Sequence, residues 1–199
     1  MLNTNQPLAE RLRPKTLNDY VGQEHLVGPD GPLRKMIENK VLPSLILWGP
    51  PGTGKTTLAE IISNTLNRPF FKLSAVNSGV KDVREVIEKA QEQHLFSKGQ
   101  PILFIDEIHR FSKSQQDSLL HAVEKGIITL IGATTENPSF EVISALLSRC
   151  QVYVLKAFEK PWLETLLKRA VEQDEVLRKR DIQVKDPNAL FRFSATELK

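Results

Sequence analysis

The chain has 199 residues, of which 40% are hydrophobic and 26% charged, as is typical of a soluble globular protein with a buried core. Its net charge of +3, from 27 basic and 24 acidic residues, is too small to indicate nucleic-acid binding by itself. The single cysteine, Cys150, excludes both a disulfide within the chain and a cysteine-rich zinc site. Because the sequence has neither a secretory-type N-terminus nor an apolar run of roughly 20 residues, we expect a cytoplasmic protein without a membrane span.

Short apolar runs alternate with helical patterns from about residue 44 onward. We predict strands at 45–48, 70–73, 102–105, 127–131 and 152–155, and helices at 55–66, about 80–90 and 114–125. Strands that alternate with helices form parallel, doubly wound sheets. The pattern therefore predicts an α/β fold with a five-stranded parallel sheet between helices.

The pattern changes after residue 155, where apolar residues recur at the spacing of one amphipathic helix that begins near Pro161. The basic run at 178–180 interrupts this spacing, and no further strand is predicted. We therefore predict two domains, an α/β core at 1–156 and an incomplete helical segment at 157–199.

Residues 49–56 (GPPGTGKT) match the phosphate-binding pattern G-x-x-x-x-G-K-[ST], between a predicted strand and a predicted helix. Glycines let the backbone wrap phosphates so that N–H groups and the helix N-terminus face the negative charge. Lys55 is expected to reach the β- and γ-phosphates, and the Thr56 hydroxyl to bind Mg²⁺. The predicted nucleotide-binding residues of this segment are Gly49, Pro50, Pro51, Gly52, Thr53, Gly54, Lys55, Thr56 and Thr57.

Two carboxylates, Asp106 and Glu107, follow the predicted strand at 102–105. Parallel sheets bind ligands at the carboxyl ends of their strands. Asp106 is therefore expected to hold Mg²⁺, and Glu107 to orient and polarise the attacking water. A strand-end turn explains such a pair equally well when it stands alone, but its place some fifty residues after the phosphate-binding loop favours ATP hydrolysis.

The predicted strand that ends near residue 131 continues into the hydroxyl and amide side chains of 134–137 (TTEN). At a strand end beside the phosphate loop, Thr134 or Thr135 could contact the γ-phosphate or hold the water. The alternative is that these side chains cap turns or helices. Spacing does not decide between the two threonines.

Several further segments resemble the clamp-loader branch of the AAA+ ATPases, which are P-loop NTPases. They are 10–17 (ERLRPKTL) with 21–23 (VGQ), 72–75 (KLSA) and 148–150 (SRC). Within that branch, 6–14 (QPLAERLRP), 108–117 (IHRFSKSQQD) and 132–140 (GATTENPSF) are similar to the RarA/MgsA family, which works at stalled replication forks. The resemblance covers roughly residues 6–170.

This resemblance implies ATP and Mg²⁺ as cofactors and assigns roles to further residues. The N-terminal segment 1–43 would enclose the adenine, through Arg13, Pro14, Val21 and Gly22. Arg149 would be an arginine finger that completes the ATP site of a neighbouring subunit, against the alternative of a surface ion pair. His109 and Cys150 are expected to pack or cap rather than to react.

The resemblance also implies a DNA-dependent ATPase in a nucleoid-associated homo-oligomer. The expected partners are forked or gapped DNA, single-stranded ends, and single-stranded-DNA-binding or other replication proteins; the preferred DNA structure stays open. Candidate DNA contacts are Lys81, Arg84, Arg110 and Lys113, each of which could equally lie on a solvated helix face. Two other functions remain: an ATP-binding, clamp-loader-like module with little turnover, and a RuvB-like helicase subunit.

The chain departs from the family near its C-terminus. The family's helical lid carries a Gly-Asp-Ala-Arg type sensor-2 arginine, and Arg192 does not fit that motif. We therefore expect a C-terminal truncation that leaves the lid incomplete and lacks the region through which the family forms tetramers.

Overall fold

The computed structural model describes residues 6–94 and 99–179, and the chain divides into two compact units. The sheet unit comprises residues 15–17 and 23–157, and the terminal unit comprises residues 1–14, 18–22 and 158–199, so far as these are described. N-terminal residues thus group with the C-terminal helices. The domain boundary at 156 remains a prediction.

The sheet unit is built on five strands: Leu45–Trp48 (β1), Phe70–Ser74 (β2), Ile102–Asp106 (β3), Thr129–Thr134 (β4) and Gln151–Val154 (β5). The strands lie in the order β2-β3-β4-β1-β5, and every pair is parallel. This arrangement confirms the predicted five-stranded parallel sheet.

Short and long helices accompany the strands, together with a 3₁₀ turn at Ile108–Arg110. The helices described are Leu8–Arg11 (α1), Glu24–Val27 (α2), Pro32–Glu38 (α3), Lys55–Leu66 (α4), Val80–His94 (α5), Lys113–Glu124 (α6), Pro138–Glu141 (α7), Ser144–Leu147 (α8), Lys160–Gln173 (α9) and Glu175–Lys179 (α10). α1, α9 and α10 belong to the terminal unit, and the others to the sheet unit.

The three central strands are apolar because helices cover both of their faces. Ile46, Leu103 and Ile105 join a buried cluster with residues of α5, α6 and α8. Strand alternation leaves Leu45 and Phe104 for the opposite face, where they are also fully buried. The edge strand β5 is mostly exposed.

The largest difference from the sequence prediction concerns β4, which was expected at 127–131 and lies at Thr129–Thr134. Its beginning shifts because the backbone N–H of Ile127 donates to Ala122 O (2.9 Å) and so completes the end of α6. Its end shifts because β4 continues to pair with β1 as far as Trp48 and Thr134. Thr134 is therefore the last residue of a buried strand rather than part of a loop.

The terminal unit joins α1 to the C-terminal helices through Arg11 and Asp174. The Arg11 guanidinium donates two hydrogen bonds to the Asp174 carboxylate, at 2.7 and 3.0 Å. Asp174 also accepts from the backbone N–H groups of Val176 and Leu177, which begin α10. The helix predicted near Pro161 is α9, and α10 was not predicted. Arg192 lies outside the described residues, among which no helix has the length and apolarity to cross a membrane.

Candidate nucleotide-binding site

The phosphate-binding loop begins where β1 ends and is fixed there by its neighbouring strands. The backbone N–H of Gly49 donates to Thr134 O in β4 (3.1 Å). A Cβ atom at Gly49 would lie 2.4 Å from Leu155 O, just after β5. Only glycine fits this close approach, so the loop leaves the sheet at a fixed point between two strands.

The loop then turns through two left-handed glycines into α4. Gly54, with φ of 87°, precedes the helix, and no described side chain caps the N-terminus of α4. Gly52 has φ of 74°, and a Cβ atom there would meet no described atom within 4 Å. The uncapped backbone N–H groups and the open space suit a bound phosphate.

Lys55 folds back over the loop. Its Nζ donates to Gly49 O (2.6 Å) and Pro50 O (2.8 Å), and the residue is only 7% exposed. Burial lowers the pKa of the Lys55 ammonium, while the Glu107 and then the Asp106 carboxylates oppose that shift. The lysine of the loop is therefore within electrostatic reach of both strand-end acids.

Asp106 and Glu107 lie at the same edge of the sheet as the phosphate-binding loop. Asp106 ends β3, where it pairs with Ser74, and both acids are half-buried. Glu107 has left-handed backbone angles (φ 57°, ψ 45°) and starts the 3₁₀ turn. Such a conformation is uncommon outside glycine and turns the chain sharply at the second acid.

The oxygen donors near the loop fit a magnesium ion. Thr56, in the first turn of α4, is half-buried, and Asp106 offers a carboxylate. The described residues contain no group of three or more His, Cys, Asp or Glu side chains that could hold a metal. Mg²⁺ commonly binds through one or two protein oxygens together with substrate phosphates, so Thr56 and Asp106 are a suitable pair.

The two candidate sensor threonines occupy different surroundings. Thr134 is fully buried, and its hydroxyl contacts Glu136 N (3.0 Å), Glu136 O (3.1 Å) and His109 Nδ1 (3.0 Å). Thr135 is partly exposed. The alternative of capping holds for Asn137, whose side chain accepts from Ser139 N and caps α7.

His109 is the site residue whose place the sequence analysis missed. It was expected to pack or cap rather than to react, and it is nearly buried; its Nε2 lies 3.3 Å from Glu107 Oε2 while Nδ1 contacts Thr134. The only available signal was its position two residues after the second acid. Nothing in the local pattern indicates that β4 would supply the other partner.

Arg149 is not brought to the phosphate-binding loop of its own chain. It precedes β5, whose Gln151 pairs with Leu45 at the start of β1, whereas the loop follows Trp48 at the end of β1. Its guanidinium binds Glu124 Oε1 (2.5 Å) and Ala145 O (2.7 Å). It also lines a cavity of about 590 Å³ at that edge of the sheet.

The four candidate DNA contacts are exposed and come from two adjacent segments. Lys81 and Arg84 lie on α5, and Lys81 pairs with Glu85 at 3.7 Å. Arg110 ends the 3₁₀ turn and Lys113 begins α6. A hydrogen bond of 2.9 Å runs from Gln115 Nε2, in α6, to Ser78 O, two residues before α5.

The predicted adenine-enclosing residues belong to the terminal unit. Arg13 forms an ion pair with Glu10 at 2.5 Å. Gly22 has φ of 80°, and a Cβ atom there would lie 2.8 Å from the Trp162 ring. The role of Arg13, Pro14, Val21 and Gly22 in adenine binding remains a prediction.

Comparison with known proteins gives consistent matches. Residues 45–157 match the ATPase family associated with various cellular activities (AAA). Replication-associated recombination protein A of Escherichia coli (strain K12) is 55% identical over 85% of this chain and 38% of that protein. The protein of the same name from Coxiella burnetii (strain RSA 493 / Nine Mile phase I) is 52% identical over 95% of this chain and 46% of that protein.

Among solved structures, the RuvB Holliday junction branch migration motor of Thermotoga maritima is similar, with a TM-score of 0.66 and 32% identity. The match covers 81% of this chain and 54% of that one. The chain thus spans less than half the length of both curated relatives. Because the family match spans more than half of this chain and coincides with the sheet that carries the site, the chain belongs to the AAA ATPase family, and within that family it is similar to replication-associated recombination protein A.

Proposed function

We propose that this chain is the ATP-binding and ATP-hydrolysing core of a DNA-dependent ATPase that acts at stalled replication forks. The convergence of the phosphate-binding loop and the strand-end acids carries the proposal: Lys55, Asp106 and Glu107 interact electrostatically at one edge of the sheet. The similarity to replication-associated recombination proteins supports the replication context.

The residues divide the chemistry between them. The loop backbone and Lys55 bind the triphosphate, while Thr56 and Asp106 hold the Mg²⁺ that bridges and neutralises the phosphates. Glu107 orients the attacking water, and catalysis depends mainly on such positioning and on fixed charges. Thr135 is the better candidate for the γ-phosphate contact, because the hydroxyl of Thr134 is already engaged by His109 and Glu136.

Arg149 acts on the ATP of a neighbouring copy. Its place beside the start of β1, with the loop at the end of β1, supports action in trans. Its partner Glu124 is a surface carboxylate, and an exposed ion pair contributes only ~0–1 kcal/mol, so a phosphate can replace it at little cost. An arginine finger can raise the hydrolysis rate by roughly 10³- to 10⁵-fold.

The primary test compares two proteins, each with and without fork DNA. One is this chain, and the other is an extended form in which the C-terminal part of the E. coli relative follows the matched region. We expect ATP hydrolysis by the extended form and stimulation by DNA. If both bind ATP and neither hydrolyses it, the chain belongs instead to an ATP-binding module with little turnover.

Substitution of the second acid tests the hydrolytic role within the same assay. Glu107→Gln should abolish hydrolysis by the extended form and leave ATP affinity intact. Asp117→Asn, on the exposed surface of α6, is the matched control and should change neither quantity. A Glu107→Gln variant that hydrolyses ATP at the parent rate would remove the assignment of Glu107.

Mixing two inactive variants of the extended form tests the trans role. Arg149→Ala protein still offers an intact loop, and Lys55→Ala protein still offers an intact arginine. Mixtures that co-assemble should recover part of the hydrolysis rate. Failure to recover any activity across a range of ratios would exclude Arg149 as a finger in trans.

The likeness to the branch migration motor favours a second candidate, a RuvB-like helicase subunit. It shares the nucleotide-site chemistry and differs in the DNA that it recognises. Stimulation of hydrolysis by a Holliday junction far above that by a fork, a gapped duplex or a single-stranded end would favour this candidate. The opposite order supports the role at stalled forks.

A further inference from the structure

His109 contacts two residues of the candidate site, Glu107 after β3 and Thr134 at the end of β4. Its Nε2 lies 3.3 Å from Glu107 Oε2, and its Nδ1 lies 3.0 Å from Thr134 Oγ1. The imidazole is nearly buried, with 10% of its side chain exposed. Both ring nitrogens are therefore committed to site residues rather than to solvent.

The hydrogen-bonding capacities of the groups give the bridge a direction. An ionised Glu107 carboxylate only accepts, so Nε2 carries the hydrogen that joins the two. In the neutral ring Nδ1 is then an acceptor, and the one hydrogen of the Thr134 hydroxyl is shared between Nδ1 at 3.0 Å and Glu136 O at 3.1 Å. The Glu136 N–H in turn donates to the Thr134 oxygen. His109 therefore lies between the Thr134 hydroxyl, at hydrogen-bond distance, and the Glu107 carboxylate, at ion-pair distance.

The far end of this chain of bonds is rigid. Thr134 is the last residue of β4, is fully buried and pairs with Trp48 of β1. Its carbonyl accepts from Gly49, the first residue of the phosphate-binding loop. The Glu107 side chain, in contrast, follows a sharp left-handed turn and is 30% exposed. His109 thus connects Glu107 to β4, the strand whose last carbonyl binds the first residue of the phosphate-binding loop.

We propose that His109 is a positioning residue, which holds the Glu107 carboxylate in register with the end of β4, next to the partly exposed Thr135. The proposal rests on the proposed function, because it assumes that Glu107 orients the attacking water. Each ring nitrogen makes one of the two contacts, Nδ1 with Thr134 and Nε2 with Glu107.

The test measures kcat and ATP affinity of the extended form for variants at this position. His109→Ala removes both contacts and should lower kcat by about 10²-fold, the effect typical of a misplaced catalytic group. ATP affinity should stay within about twofold, because His109 does not touch the loop. His121→Ala, an exposed histidine on α6, is the matched control and should leave both quantities unchanged.

A second variant keeps the proposal testable if the alanine variant fails to fold. In His109→Gln the amide nitrogen can still reach Glu107 in place of Nε2, but the contact with Thr134 is lost. A folded glutamine variant should therefore remain at least about tenfold slow. If kcat of the glutamine variant equals that of the parent, the proposal is refuted, because the contact with Glu107 alone would then be enough to position the carboxylate.

A double-mutant cycle separates positioning from general support of the fold. Thr134→Val breaks the other end of the bridge, so kcat of the His109→Ala, Thr134→Val double variant should equal that of His109→Ala alone. Multiplicative losses, or a parallel loss of ATP affinity, would overturn the proposal. Absence of hydrolysis in the parent protein would instead refute the proposed function, whereas an active parent with a fully active His109→Ala variant refutes only this inference.

Discussion

The adjacent threonines at the end of β4 use their hydroxyls differently, and valine substitution separates them. Thr134 is fully buried with contacts to His109 and Glu136, whereas Thr135 is partly exposed. Valine keeps the shape of threonine and removes only the hydroxyl. The comparison therefore decides the alternative that sequence spacing leaves open.

The expected magnitudes follow from those contacts. Thr134→Val leaves Nδ1 of the nearly buried His109 without its partner, which costs about 1–3 kcal/mol of unfolding free energy. At about 2–4 °C per kcal/mol for a chain of this size, Tm falls by roughly 2–12 °C. Thr135→Val changes a partly exposed side chain and should shift stability by less than about 0.5 kcal/mol.

For ATP affinity we expect the opposite order, with the larger effect from Thr135→Val. A hydrogen bond to a charged phosphate is worth about 1.5–3 kcal/mol, so Thr135→Val should weaken ATP roughly 10- to 150-fold and leave ADP unchanged. Calorimetric unfolding without nucleotide and fluorescence titration with both nucleotides measure the two effects. The reasoning is refuted if Thr134→Val keeps the parent Tm and loses the preference for ATP over ADP, while Thr135→Val changes neither Tm nor nucleotide affinity. The roles of the two threonines would then be reversed.

Three further predictions concern stability and reactivity. Gly49→Ala places a Cβ atom 2.4 Å from Leu155 O, so the midpoint of urea unfolding should fall by the equivalent of about 1–3 kcal/mol; an unchanged midpoint would show that the loop yields freely. The Arg11 guanidinium, with neighbouring N–H groups, holds the pKa of Asp174 below its usual range, so stability present above about pH 4 is lost as pH falls below it. Asp174→Asn should flatten this acid dependence of Tm, and an identical acid slope would contradict the assignment. Burial raises the pKa of Cys150 to about 12, so iodoacetamide should modify it slowly at pH near 8 in the folded protein and quickly in urea; equal rates would contradict its burial.

The fold was predictable because its signals are local and repeated. Apolar runs such as 102–105 indicate strands covered on both faces, and the glycine pattern at 49–56 fixes a strand–loop–helix order. The site acids were predictable for the same reason, since Asp106 and Glu107 directly follow a strand. Boundaries were less accurate, as for β4, where the end of α6 and the pairing with β1 set the limits.

The remaining features depend on contacts between distant segments, which periodicity does not reveal. The partner of His109 is Thr134, 25 residues away, and that of Arg11 is Asp174, 163 residues away. The engagement of the Thr134 hydroxyl depends on a histidine whose own position follows from the left-handed turn at Glu107. The ion pair of Arg149 with Glu124 likewise arises where two helices end near one another.

The Arg11–Asp174 pair also affects the order in which the protein can fold during its synthesis. Among the described residues, the last strand of the sheet ends at Val154, so these five strands are all made before Asp174. Domains generally fold as units as they emerge, at about 5–20 residues per second. The separation of 163 positions between Arg11 and Asp174 corresponds to roughly 8–30 seconds of synthesis, during which Arg11 has no Asp174 to bind. Arg11 is thus made well before the residue that fixes it in place.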